Sequence, residues 1–151
     1  MPDDNTPGPP LNLARWCLEA RASGPLGDRP AFTFVHGDGR HEGWTAAEAW
    51  ARIERTARGL LDLGLQPGER VLIRLPHAPA YAFAFFGANL AGLVPIPASP
   101  ALTAEEAAFL AQDAEAAALI AGDGMAIEGF RGRMLSERDL ETLDGTATLP
   151  V

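Results

Sequence analysis

The sequence predicts a three-layer α/β fold in which helices flank a mostly parallel sheet, preceded by an N-terminal β-hairpin. Strand-like and helix-like segments alternate between residues 71 and 121. The strand-like runs are short and continuously apolar, which is typical of strands buried on both faces of a parallel sheet. With 151 residues, 47% of them hydrophobic and 21% charged, the chain suits one compact globular domain.

The N-terminal elements begin after an acidic, proline-rich stretch. Residues 1–10, MPDDNTPGPP, predict a disordered tail that carries no signal peptide. Asn12 can cap a helix that runs to about Ala22. Its apolar residues recur at helical spacing and predict one packed face, made of Leu13, Trp16, Cys17 and Ala20.

A hairpin and a long helix are expected next. Residues 31–36 and 40–44 flank His-Gly-Asp-Gly, and the Asp-Gly pair favours a tight β-turn. Thr45 and Glu48 have the spacing of a capping box, which opens a helix that ends near Leu63. The predicted buried face of this helix is formed by Trp50, Ile53, Ala57, Leu60 and Leu61.

The predicted parallel sheet contains three strands, and two helices connect them. The strands are residues 71–73, 94–97 and 116–121. The helix over residues 80–91 is apolar or small at nearly every position, so we expect protein to enclose it on most sides. A second capping sequence at Thr103 opens a helix with a small-residue face for close packing, made of Ala107, Leu110, Ala111 and Ala114.

Two prolines restrict the middle strand. A proline nitrogen cannot donate to a β-ladder, so the strand of residues 94–97 should be short, or lie at an edge or end of the sheet. Pro95 and Pro97 are two residues apart, and their missing donors therefore face the same side. Beyond residue 122, RGRML predicts a strand, SERDL predicts a helix start, and DGTATLPV resembles a linker or an unfinished passage.

Composition excludes several classes of function. The net charge of −8 repels phosphate backbones, so we expect no nucleic-acid partner. All twelve basic residues are arginine, which excludes a lysine Schiff base and a lysine-containing P-loop. The longest apolar run, residues 78–97, is too broken by prolines to span a membrane. Cys17 is the single cysteine, so we expect no internal disulfide, a buried structural thiol and a cytoplasmic protein.

No complete active site is visible in the residues. The three histidines, His36, His41 and His77, lack the partners of a metal set, and solvent exposure or local hydrogen bonding is the favoured interpretation. No serine sits in a GxSxG context. GDGMAIEG has only part of a dinucleotide fingerprint, so a plain turn is favoured.

The charged residues likewise give only weak indications of a functional site. The pairs Asp123/Glu128 and Glu105/Glu106 are interpreted as solvated side chains. Arg70 and Arg74 flank a strand and could bind an anion, but solvation at the strand ends is favoured. We therefore assign no catalytic, cofactor-binding or metal-binding residue in this chain.

The order of motifs resembles the N-terminal portion of adenylate-forming, AMP-dependent enzymes. The matching segments lie within residues 12–122 and include GDRPAF, T-x-x-E, GL-x-PGERV and GA-x-x-AG-x-VP-x-P. The resemblance is to acyl-CoA synthetases and aryl-CoA ligases, and within these it is nearest to benzoate-CoA ligase-like members. It implies that residues 11–151 form an incomplete first subdomain of that ligase fold.

The resemblance also implies a reaction and its requirements. Such enzymes activate a small carboxylic acid with ATP and Mg²⁺, form an acyl-adenylate, and transfer the acyl group to CoA. Their Ser/Thr/Gly-rich phosphate loop and catalytic lysine are absent from this chain. Because adenylation needs donors and cations around the phosphoryl group, the expectation is a fragment that is inactive alone and needs the remainder of a ligase.

Two hypotheses follow from these observations. The first is the ligase fragment, and the second is a complete, non-catalytic α/β binding or interaction module. In the fragment hypothesis, Pro95 to Ala101 packs the fold, and lining of a ligand channel is the less favoured alternative. A subdomain without its neighbours keeps an exposed apolar face, so a homodimer or aggregation is also expected.

Overall fold

A computed structural model describes residues 11–150. The expected disordered tail at residues 1–10 lies outside the described residues. Helix α1 consists of a π-helical turn, Arg15–Glu19, that continues as the α-helical turn Ala20–Ala22. Asn12 caps it as predicted, since its Oδ1 accepts from the Arg15 amide at 3.2 Å.

The predicted packing face of α1 is wrong. Trp16 is 72% exposed, and Cys17 and Ala20 are also exposed, whereas Ala14 is fully buried and Leu18 packs against the core. A π-helical turn places more residues in each turn than an α-helix does, so a face read at 3.6-residue spacing is rotated. The prediction of a buried structural thiol at Cys17 fails for the same reason.

The predicted hairpin is confirmed. Strand β1, Pro30–Val35, pairs antiparallel with β2, His41–Thr45, and the turn contains Gly39 at a φ of +84°. Phe32 stacks on Trp44 with ring centroids 5.1 Å apart. Both rings meet Phe83 edge-on, at 5.9 Å and 5.3 Å, so an aromatic cluster holds the hairpin against helix α3, Pro79–Leu90.

Helix α2 spans Ala46–Asp62 and packs against α3. The capping box of Thr45 and Glu48 is present, and Gly64 follows the helix at a φ of +93°. The predicted face is largely confirmed, with Ile53, Ala57 and Leu60 buried and Trp50 and Leu61 half-buried.

The main sheet has four parallel strands in the order β4-β3-β5-β6. They are β3 Arg70–Arg74, β4 Val94–Pro97, β5 Ala118–Ala121 and β6 Arg133–Ser136. Val71, Ile73 and Ile120 face α2 and α3, while Leu72 and Leu119 face helix α4, Ala104–Asp113. The three-layer prediction is therefore confirmed.

The edge position predicted for the proline-containing strand is also confirmed. Strand β4 pairs only with β3 among the described strands. The amides of Val94 and Ala98 donate to Glu69 and Ile73 at 2.8 and 2.9 Å. Pro95 and Pro97 alternate with these donors, so their nitrogens face away from the sheet and cost no ladder bond.

The C-terminal residues are not the linker that the sequence suggested. After helix α5, Glu137–Thr142, residues 143–150 lie along α2 as a strap. Asp62 Oδ2 accepts from the Thr146 amide at 2.7 Å, and Arg58 donates to the Ala147 carbonyl at 2.7 Å. Leu143 and Leu149 pack against the core. No described helix combines the length and apolar character needed to cross a membrane.

Candidate functional site at the carboxyl end of the parallel sheet

The strand order locates the place where a ligand site would be expected. From β3 the chain crosses to β4 on one side, and from β5 it crosses to β6 on the other. In open α/β sheets, ligands bind outside the carboxyl ends of strands where such connections diverge. Here that position lies between the ends of β3 and β5, at Arg74 and Ala121.

Arg74 fills this position instead of lying in solvent. Its side chain is on the α4 side of the sheet, and the residue is only 5% exposed. Its guanidinium donates to the carbonyl of Met125 at 2.9 Å and to the carbonyl of Leu102. It thereby ties together the loops that follow β4 and β5, and the predicted solvation of Arg74 is wrong.

The charge of Arg74 is not balanced locally. No carboxylate of residues 11–150 lies within 4 Å of its guanidinium nitrogens. Its Nε is buried and has no hydrogen-bond partner within this range. Arg70, at the opposite end of the strand, is exposed and lies 3.6 Å from Glu115, as expected for a solvated strand end.

An open pocket of about 270 Å³ adjoins the ends of β3 and β4. Tyr81, His77 and Ser99 supply polar groups, and its walls are mainly proline, from Pro76, Pro97 and Pro100. Pro97 to Pro100 belong to the stretch for which channel lining was the less favoured alternative. The structure places that stretch on a concave surface as well as in the sheet edge.

A second pocket of about 250 Å³ lies on the other side of His77, beneath the hairpin. His36 Nε2 and Glu42 Oε1 are 2.5 Å apart, which confirms the predicted local hydrogen bonding of this histidine. The guanidinium carbon of Arg52 lies 4.7 Å from the Phe83 ring centroid, in a cation–π contact. Glu137 and Glu141 of α5 complete the charged lining.

Within residues 11–150, no group of three His, Cys, Asp or Glu side chains could hold a metal ion. Two serines have local roles: the Ser136 side chain caps α5, and Ser99 Oγ accepts from the Ala101 amide at 3.2 Å. GDGMAIEG forms a turn closed by the Met125 amide and the Gly122 carbonyl, as expected.

The carboxyl groups whose pKa values are shifted lie in a hairpin turn and in helix caps. Hydrogen bonds from Arg40 lower the pKa of Asp38 in the hairpin turn. Hydrogen bonds from Thr103 and Ser136 lower the pKa values of Glu106 and Asp139 in their capping boxes. These carboxyls are held ionised, which suits helix caps and not general acids. Asp123, Glu128 and Glu105 are exposed, as predicted.

Sequence analysis missed the burial of Arg74 and the grouping of His36, His77 and Arg52. The one available signal for Arg74 was its position between apolar residues, Ile73 and Leu75. No local pattern could bring His36 and His77 together, because they belong to a hairpin and to a loop after β3.

Comparison with known sequences identifies one family. The sequence model described as AMP-binding enzyme matches residues 18–148. Crotonobetaine/carnitine–CoA ligase of Salmonella typhimurium is 30% identical over 65% of this chain. Salicyl-AMP ligase / salicyl-S-ArCP synthetase of Mycobacterium tuberculosis is 35% identical over 74% of it. The chain spans only 19% and 18% of the lengths of these curated relatives.

Comparison with solved structures gives the same fold. The N-terminal subdomain of Klebsiella oxytoca NpsA superimposes with a TM-score of 0.78 at 21% identity, covering 93% of this chain and 35% of that one. O-succinylbenzoate coenzyme A synthetase (MenE) from Bacillus subtilis, solved with ATP and a magnesium ion, gives 0.77 at 18% identity, covering 88% and 35%. The four-stranded sheet and its flanking helices therefore match part of an N-terminal ligase subdomain.

Proposed function

This chain belongs to the AMP-binding enzyme family, and from that premise we propose that it is the N-terminal scaffold of an ATP-dependent carboxylic acid–CoA ligase. The observation that carries the proposal is the family match over residues 18–148, combined with a fold that matches a known N-terminal subdomain. Residues 11–151 would form one α/β unit of the longer enzyme.

The chain itself does not fit an ATP–Mg²⁺ site. The sequence contains no lysine and no Ser/Thr/Gly-rich phosphate loop, and residues 11–150 hold no group able to bind a metal. Arg74, the one strongly buried cation of residues 11–150, donates hydrogen bonds to two carbonyl groups. We therefore propose that the residues for ATP, Mg²⁺ and CoA lie on the remainder of the ligase, and that this chain is inactive alone.

The pocket beside β3 and β4 supports a passive role in substrate passage. It is concave, lies at the carboxyl end of the parallel sheet beside the point where the connections diverge, and has proline walls that change shape little. We propose that Pro97 to Pro100 and Tyr81 form part of the wall along which the acid or the thiol moves. The proposed substrate class is a small aromatic acid such as benzoate, supported by the salicyl-AMP ligase similarity.

Gene structure and an exchange assay test this proposal. We expect the gene to continue beyond codon 151 into a Thr/Ser/Gly-rich loop and a later lysine. We also expect the purified 151-residue chain to give no benzoate-dependent ATP–pyrophosphate exchange, and the full product to give it. A downstream sequence without that loop, or exchange by the 151-residue chain alone, would overturn the proposal. The proposed cytoplasmic location predicts that Cys17 stays reduced in cells.

One observation favours the second candidate, a non-catalytic binding module. The strap of residues 143–150 is held along α2 by hydrogen bonds to Arg58 and Asp62, as it would be in a unit that folds alone. Calorimetry with ATP, CoA and benzoate, together with a thermal melt, separates the candidates. Binding of one ligand with a cooperative melt favours the module, whereas no binding favours the ligase fragment.

A further inference from the structure

A cavity of about 180 Å³ lies where α1, the hairpin and the two packed helices α2 and α3 meet. Its mouth is between Cys17 of α1 and Ala31 of β1, which are both exposed. Its floor is formed by Ala49, Ile53 and Phe83, and each of these is at most 3% exposed. This α1–hairpin cavity is therefore a recess that runs from the surface into the core.

The lining of the α1–hairpin cavity is apolar. Apart from Cys17, the described residues that line it are alanine, leucine, isoleucine and phenylalanine. A thiol is only a weak hydrogen-bonding group. A buried water molecule typically needs about two to four polar partners, which these side chains do not supply. The cavity therefore suits an apolar molecule better than it suits water.

Rigid side chains keep this space from closing. The ring of Phe32 is stacked on Trp44, and the ring of Phe83 is held by Arg52, whose guanidinium carbon lies 4.7 Å from the ring centroid. Ile53 is β-branched and has one strongly preferred χ1 rotamer in a helix. These side chains cannot turn into the empty volume without losing their present contacts.

Alanines on three different elements leave the volume unfilled. Ala31 lies on β1, Ala49 on α2 and Ala82 on α3, and each contributes only a methyl group to the wall. Wall atoms that face an empty space lose the dispersion contacts that a neighbouring atom would give. A ligand of the right size restores those contacts and removes its own apolar surface from water.

The size and the chemistry of the cavity define the class of ligand. A cavity of about 150 Å³ lined by leucine, isoleucine and phenylalanine stays dry and binds benzene. The α1–hairpin cavity, at about 180 Å³, has room for one aromatic ring with a small substituent. None of its described lining residues is charged, so a carboxylate there would be buried without a partner.

We propose that the α1–hairpin cavity is a binding site for a small, uncharged molecule built on a single aromatic ring. The cavity shares no described lining residue with the pocket beside β3 and β4. The inference goes beyond the ligase proposal, because an ionised acid substrate does not suit this site and no step of adenylation takes place in it.

Titration of the full 151-residue chain with toluene tests the site. We expect saturable binding of one toluene per chain by calorimetry, and a thermal unfolding midpoint that rises with toluene concentration because the ligand binds the folded state. Benzoate carries the same ring with a carboxylate and should bind about tenfold more weakly or worse. The proposal is overturned if toluene gives neither effect, or if benzoate binds as tightly as toluene.

Substitutions that fill the cavity test its location. Ala49→Leu and Ala82→Leu fill it from α2 and α3, and each should weaken toluene binding by about tenfold or more. Ala51→Leu adds the same atoms at an exposed position of α2 and should leave toluene binding unchanged.

Circular dichroism establishes which variants fold. If Ala49→Leu does not fold, Ala82→Leu decides the location, because residue 82 is only half-buried. A folded Ala82→Leu chain that binds toluene as tightly as wild type would place the ligand elsewhere and contradict the proposal. The ATP–pyrophosphate exchange assay depends on none of these results, so failure of this site and failure of the ligase proposal are distinguishable.

Discussion

Gly87 of α3 lies directly against Thr56 of α2: a Cβ built on Gly87 would fall 2.5 Å from Thr56 Cγ2 and 2.7 Å from Thr56 Cβ. The two helices cross at this point, and Thr56 is held in place by its hydroxyl bond to the Arg52 carbonyl at 3.0 Å. Close contact of α2 and α3 therefore depends on the absence of a side chain at residue 87.

Gly87→Ala should destabilise the fold although alanine is the better helix former. Overpacking typically costs about 1–3 kcal/mol, which exceeds the gain of about 1 kcal/mol from helix propensity. Urea unfolding measures the change. Gly37→Ala is the control, since a Cβ there meets no atom within 4 Å. Equal urea midpoints for Gly87→Ala and wild type would show that α2 and α3 can move apart without loss of stability.

Arg74→Met should lower the free energy of unfolding by about 1–3 kcal/mol, because the carbonyls of Leu102 and Met125 lose their donors. Arg70→Ala, at the exposed end of the same strand, should change it by less than about 0.5 kcal/mol. Thermal or urea unfolding of the pair gives the comparison. If both variants match wild type, Arg74 does not hold the two loops together.

Arg58→Ala should loosen the C-terminal strap, since it removes the donor to the Ala147 carbonyl. Loss of this bond should cost about 0.5–1.5 kcal/mol. Hydrogen exchange should speed up at the Thr146 amide, which bonds to Asp62. Arg55→Ala changes an exposed residue of the same helix and is the matched control. Unchanged protection of Thr146 in Arg58→Ala would contradict this role.

Asp139 should make stability depend on pH in the acid range. Hydrogen bonds from the amide and hydroxyl of Ser136 lower the pKa of Asp139 in the folded state. A lowered folded-state pKa adds stability above the ordinary aspartate pKa, and that stability is lost as the pH falls through the folded value.

The variant Asp139→Asn lacks this titration. Its deficit in unfolding free energy relative to wild type should be present at about pH 6 and shrink toward about pH 2. Glu141→Gln, on the same helix and outside the capping box, should show little such change. A deficit for Asp139→Asn that is constant over this range would mean that the carboxylate charge does not stabilise α5.

Local chemistry made much of this fold predictable from sequence. The capping boxes at Thr45 and Thr103 need only residues three positions apart, and the Asp-Gly turn needs only its own backbone. The prolines of β4 predicted an edge strand because the missing donor is a property of the residue itself. These features depend on neighbours in the chain, so a sequence pattern carries them.

Contacts between distant residues were not predictable in this way. The π-helical turn of α1 rotated the predicted apolar face of that helix and left Cys17 exposed. Residues 143–150 lie along α2 as a strap because Arg58 and Asp62 bind them. The pockets beside His77 likewise need residues from the hairpin, α3 and α5.

The sequence by itself determined the α/β class, the caps, the edge strand and, through its motif order, the family. Only the tertiary structure decided that Arg74 is buried, that residues 143–150 bind along α2, and that β6 is an edge strand of the described sheet. The physical reason is that capping and turn energies arise within a few residues, whereas burial of a side chain depends on which segments pack around it.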